Sequence, residues 1–474
     1  MKKLLIVVMV LLTACLQQQN RKNLYGFWQG PHPEDDTRKF YIRFYENNDS
    51  LSAHGYWTHH GFYDSAFDID SVYFSENEIH FYVPMWGCHY LGKFTGQSII
   101  SGGFCCPGEP FDSVSLTKND TIRSFLTDIL PGSQNPGFRY TWQAPRATND
   151  NLECTTQLSH GEMLFVDSLL SEIVEGKYGR INSILLARNH QLFCEEYFWG
   201  YQAEDLHPLE SATKSITSLL IGIAIDQGKI NGTEEKIADI FPEIRHQQAE
   251  IFRQITLQHL LTMTSGYECK DDELTQNDDR ISFCLNRKII HEPGKVFQYD
   301  GGNTEILGAV IHRKTGMFAD EFASKYLFTP LNISCYQWSD YRQNGYPLMS
   351  GALHLRPRDM LKIGELVLNK GRCNEQQIVS KEWIDASATT AVKTGIDNDN
   401  YSYLWWNISL ESKEKEYRCI WANGWGSQFI YIIPDLNVVM VTTGHNYEQD
   451  SWAITSGLGK YIYLLDEDAT AASF

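Results

Sequence analysis

Ser211-Ala212-Thr213-Lys214-Ser215, running straight into Ile216-Thr217-Ser218-Leu219-Leu220-Ile221-Gly222-Ile223-Ala224-Ile225, decides how the rest of this chain is read. The run is apolar almost throughout and predicts a buried helix from Ser211 to Gln227. Gly228, a favoured residue for the left-handed turn that ends helices, stops it. A spacing of three puts the Ser211 hydroxyl and the Lys214 ammonium on one helical face, within reach of each other. Serine is a poor nucleophile until a neighbour takes its proton. The helix N-terminus adds partial positive charge that favours an alkoxide, and burial disfavours an ammonium, which suits a lysine acting as base. The tetrapeptide alone carries little weight, because Ser-x-x-Lys arises by chance and Ser211 also reads simply as an N-cap.

The surroundings read as mixed α and β. Residues 161–175 predict an amphipathic helix, and 184–187 and 191–197 predict two strands around Arg188-Asn189-His190. Near the far end, 429–433 and 438–443 predict strands joined by Pro434-Asp435-Leu436-Asn437, and 451–465 a last helix. Strands at both ends with helices between predict a sheet built from the two ends of a domain spanning 151–474. Residues 23–120 differ. Short alternating stretches such as Phe40-Tyr41-Ile42-Arg43-Phe44 and Ile79-His80-Phe81-Tyr82-Val83 predict a small all-β barrel or sandwich. Its Gly26-Phe27-Trp28 opening is faintly reminiscent of lipocalin-like barrels. We read 121–150, with Pro131-Gly132-Ser133-Gln134-Asn135-Pro136-Gly137, as a linker.

The whole chain sets further bounds. With 474 residues there is room for two or three domains. A formal net charge of −19 argues against a nucleic-acid partner, which needs a basic footprint. Lys2 and Lys3 precede a short apolar run ending Leu12-Thr13-Ala14-Cys15, as in a secretory signal, and the run is too short to span a bilayer. That tetrapeptide resembles a bacterial lipobox. The resemblance implies a leader over 1–14, a lipid on Cys15 and a tether over 15–22. The chain is then an exported lipoprotein attached to a membrane at the periplasm or cell surface. The alternative is an ordinary signal peptide with Cys15 a bystander. The ten later cysteines show no zinc-type spacing, and their pairing is left open.

Several blocks resemble one family in order: Glu196-Tyr197-Phe198-Trp199-Gly200, Ser211 to Gly222, His259 to Gly266, Glu292-Pro293-Gly294, Leu355 to Met360 and Tyr403-Leu404-Trp405-Trp406. Together they look like the β-lactamase-related serine hydrolases, which include class C β-lactamases, D-Ala-D-Ala peptidases, family VIII esterases and nylon-oligomer hydrolases. The resemblance implies an α/β (α+β) domain, an antiparallel sheet flanked by helices plus a helical lobe, with the site between them. It makes Ser211 the nucleophile, Lys214 its base partner and Tyr299, in Tyr299-Asp300-Gly301, the co-base and acid to the leaving group. Gly301 stands where the family carries Asn.

For the third family element, Lys393-Thr394-Gly395 is a decoy that leads into a polar loop. Gly424-Trp425-Gly426-Ser427, entering a strand, fits better. The resemblance then gives the oxyanion hole to the backbone N–H groups of Ser211 and Ser427, and Gly424 occupies the place of a carboxylate-binding cation. Trp425, with Trp405 and Trp406, implies an aromatic-lined pocket. The reading is ester or amide hydrolysis of a neutral small-molecule substrate through a Ser211 acyl-enzyme, needing no metal or organic cofactor. The alternatives are a D-amino-acid peptidase, a β-lactamase, or a cell-surface binding protein without turnover.

Overall fold

The computed structural model describes residues 23–466, apart from 32–37, 48–49, 60–61, 76, 85–86, 97, 109–110, 119–141, 199–200, 275–276, 278, 339–344, 390–391, 397–398 and 448–449. The leader, Cys15 and the Pro131–Gly137 turn cluster lie outside the described residues. The chain divides into two units, Met1–Leu130 and Pro131–Phe474.

The first unit is one antiparallel, barrel-like sheet rather than a two-sheet sandwich. Its first strand, Gly26–Pro31, pairs on one side with Arg38–Asn47 and on the other with Leu116–Lys118, near the end of the unit. Along Cys88–Phe94 buried and exposed residues alternate strictly, the signature of a sheet with one wet face. Trp28, Phe44, Phe81 and Tyr90 fill the inside and form its core. Cys88 is disulfide-bonded to Cys106, and Cys105 of the vicinal pair is a free, exposed thiol.

In the second unit a nine-stranded sheet carries the fold. At its centre Ile181–Arg188 pairs antiparallel with Val438–Gly444, Leu185 opposite Val441, which joins the two ends of the domain. Both strands are buried along nearly their whole length, as expected of apolar runs covered on both faces. Asn189 and His190 both take positive φ, 51° and 65°, which is the two-residue turn that matches hairpin twist between Ile181–Arg188 and Gln191–Tyr197. The sheet continues through Gln428–Ile433, Lys415–Gly424 and Trp405–Ser412 to a short edge at Val392–Lys393. Helix Pro357–Leu368 lies against the central strands, with Gly364 fitted so closely that a Cβ there would be 2.5 Å from Val439.

The deciding helix differs in detail from its sequence reading. It runs from Thr213 to Asp226, preceded by a 3-10 turn, Glu210–Ala212, and Gly228 follows at φ 66°. Ser211 sits in that turn, and no side chain caps the helix, so the N-cap reading of Ser211 fails. The helix is buried over Thr213–Ala224, which the apolar run demanded. Helices between Ile237 and Ala323, the longest of them Gly301–Thr315, form the helical lobe. The end of the sequence-read linker is not free: Trp142 donates to the Phe193 carbonyl, and Arg358 binds Thr148, Asp150 and the Arg146 carbonyl. A buried guanidinium needs acceptors, and these residues supply them.

Candidate active site

Ser211 enters the site because the 3-10 turn ahead of the helix holds it there, with the buried helix fixing Lys214 one turn on. Lys214 Nζ lies 2.9 Å from Ser211 Oγ and donates to the Ser350 carbonyl at 2.8 Å. Lys214 is only 3% exposed, so its head group can reach little else. The Ser350 carbonyl is itself placed from behind. Ser350 N–H donates to Glu305 Oε1 at 2.8 Å, and Arg280 Nε holds Glu305 Oε2 at 2.9 Å. This chain from Arg280 to Ser211 was not read from the sequence, and no motif marks it.

Tyr299 comes from the segment leading into helix Gly301–Thr315. Its ring lies 5.0 Å from Lys214 Nζ and 5.7 Å from the Trp406 ring. Next to it Asp300 caps that helix by accepting from Gly302 N–H, and Arg287 grips both its oxygens at 2.6 and 2.9 Å. Gly301 replaces the family Asn in a tight place, since a Cβ there would be 3.0 Å from Ser350 Cβ. Asn303 is fully buried and accepts from the Ser265 hydroxyl, a structural role. Cys269, Asp271 and Asp300 gather ligand-type atoms. Two of the three have protein partners: Asp300 serves Arg287, and Asp271 accepts from Gly301 N–H at 2.8 Å.

The segment 424–427 turns between strands Lys415–Gly424 and Gln428–Ile433. Gly424 closes on the nucleophile's turn: a Cβ there would sit 2.1 Å from the Leu209 carbonyl oxygen. Gly426 takes φ 78° against the Tyr447 ring. Trp425 is 58% exposed and meets Tyr447 edge-on at 5.0 Å. Ser427, given an oxyanion role by the resemblance, is wholly buried. Its hydroxyl donates to the Ser451 carbonyl and accepts from Asn446, so its side chain holds the turn from which its backbone N–H is offered.

The three tryptophans part company. Trp406 stands by Tyr299 and Trp425 is exposed, but Trp405 is fully buried in the core. Lys393 lies in the two-residue strand at the edge of the sheet, paired with Asn400. Glu210 and Tyr447, also beside the nucleophile, went unread in the sequence, although the position before Ser211 could have been questioned.

A family model for β-lactamase matches residues 183–450. The 6-aminohexanoate-dimer hydrolase of Paenarthrobacter ureafaciens is 21% identical over 251 residues, 48% of this chain and 64% of that relative's length. A penicillin-binding protein homologue from Caulobacter crescentus superposes with a TM-score of 0.52 at 12% identity, covering 66% of this chain and 99% of the other. A family VIII carboxylesterase superposes at 0.50 with 16% identity, covering 64% and 98%. The structural likenesses establish the fold. The family match takes in more than half of the 474 residues, the Ser211 helix, Tyr299 and Gly424 among them, and the chain belongs to the β-lactamase family.

Proposed function

We propose that this chain is a serine hydrolase that cleaves a neutral ester or amide through an acyl-enzyme on Ser211. The observation that carries the reading is Lys214 Nζ at 2.9 Å from Ser211 Oγ, held there by the Ser350 carbonyl. Ser211 attacks the carbonyl carbon as Lys214, with Tyr299 beside it, takes the hydroxyl proton. The tetrahedral oxyanion is received by the backbone N–H groups of Ser211 and Ser427, a type of donor worth about 3 kcal/mol each. Tyr299 protonates the leaving group, and water activated by the same pair releases the acid.

The close fit of Gly424 supports a neutral substrate, because no cationic side chain fits at that position to receive a carboxylate. A hydrolase of an amide dimer and a carboxylesterase among the similar proteins support both ester and amide as candidate bonds. To test this, a soluble form starting at residue 21 is treated with a fluorophosphonate probe beside Ser211→Ala. Labelling lost in the mutant is expected, with nitrophenyl esters turned over in preference to a chromogenic cephalosporin. Absence of labelling in folded wild-type protein would sink the reading and leave a binding protein without turnover.

A further inference from the structure

The residue ahead of the nucleophile is a glutamate, and the acyl transfer above does not use it. Glu210 stands in the 3-10 turn at φ 49°, a left-handed conformation that costs a non-glycine residue energy. Its Oε1 has a long contact, 3.5 Å, with the Tyr447 hydroxyl. Burial raises its carboxyl above the ordinary value, and the Lys214 ammonium and the Tyr447 hydroxyl offset this only in part. A carboxyl group therefore lies within electrostatic range of the lysine that touches Ser211 Oγ.

Two cations stand on this side of the site, Lys214 and Arg180, the latter close enough to be felt at His445. Lys214 is engaged by Ser211 and Ser350, and Gly424 has no room for a side chain. His445, edge-on to Tyr447, is pushed down to about 3 by burial and by Arg180, and is neutral at ordinary pH. The exposed ring of Trp425, against Tyr447, is by contrast a face on which a cation can rest.

We propose that Glu210 sets the charge preference of the site: it disfavours substrates with a carboxylate near the scissile carbonyl and favours those with a cationic group there. This rests on the serine-hydrolase reading. It narrows that reading from a substrate without a carboxylate to one bearing an amine or a quaternary ammonium on its acyl side. A charge fixed beside the reacting atoms discriminates by attraction and by repulsion at once.

The test uses three alkyl fluorophosphonates of equal length, ending in a methyl, a carboxylate or a trimethylammonium group. Their second-order labelling rates are measured on the wild type, Glu210→Gln and Glu210→Asp. We expect the wild type to rank cation above neutral above anion, with about tenfold or more between the extremes. Glu210→Gln should contract that span to within about threefold, and Glu210→Asp should keep the order. Ratios within one variant do not depend on how much of it is folded. Equal wild-type rates for all three probes, or an unchanged span in Glu210→Gln, would overturn the proposal and leave the hydrolase reading standing. No labelling by any probe would overturn the hydrolase reading, and the proposal with it.

Discussion

Gly424→Ala adds one methyl group, and the structure states where it would go. The new Cβ would lie 2.1 Å from the Leu209 carbonyl oxygen, with Gln428 Cβ and its carbonyl oxygen at 3.0 Å on the other side. A tolerable carbon–oxygen contact is about 3.2 Å, so strand or turn must move by roughly 1 Å. The partner atom is backbone, two residues before Ser211, and Gln428 blocks retreat in the other direction. Overpacking of this kind costs about 1–3 kcal/mol of stability. The larger effect falls on chemistry, because a 1 Å error in the placement of reacting groups costs on the order of 10²-fold in rate.

We therefore expect Gly424→Ala to fold, to melt a few degrees lower and to lose about 10²-fold in fluorophosphonate labelling. Gly351→Ala is the control. It stands next to Ser350, yet its Cβ would find only Leu348 at 3.9 Å, and it should label like the wild type. The assay is the labelling rate beside a thermal melt. A Gly424→Ala protein that labels within twofold of wild type would refute the argument that this glycine keeps the strand against the nucleophile's turn.

Two more expectations follow from buried charge. Glu305→Ala removes the carboxylate between Arg280 and Ser350 N–H, both of which it holds at under 3 Å; urea melts should show a loss of about 3–5 kcal/mol, as for a broken buried pair. The double change Arg280→Met with Glu305→Leu should recover most of that stability without the labelling rate, because the Ser350 carbonyl that holds Lys214 stays loose. For Glu172, burial opposes ionisation, but hydrogen bonds from Lys460, Tyr178 and Lys177 outweigh it and bring the carboxyl down to about 2. A depressed carboxyl contributes stability above its unfolded value near 4.5 that is lost as pH falls toward 2. Glu172→Gln should thus flatten the acid limb of stability by on the order of 1–2 kcal/mol, and a limb unchanged in acid titration would refute this.

Much of the fold was legible because apolar runs leave few choices. The stretch 216–225 had to be buried, and the strands near both ends of the domain had to find each other, as Ile181–Arg188 and Val438–Gly444 do. Ser211, Lys214 and Tyr299 were legible as residue types at family spacing, and the structure brings them together. What could not be read depends on contacts between residues far apart in sequence. Ser350 acts through a carbonyl, which every residue has, and Glu305 lies in a helix with no motif around it. Residues 146–150 looked like linker because their partner, Arg358, is more than two hundred positions away.

Gly424 stands where the family carries a cation, and the structure adds a packing reason to that reading. Read against the family, it is a cation lost, as though selection had removed a working group from a position able to hold one. In the structure no side chain of any charge fits, because the strand closes on the Leu209 carbonyl to bring its backbone alongside the nucleophile's turn. The missing cation is then a consequence of how the strand packs. The acidic residue at this place is Glu210, on the nucleophile's own turn. With Glu210 acting as proposed, the site exchanges a preference for carboxylates for the opposite one.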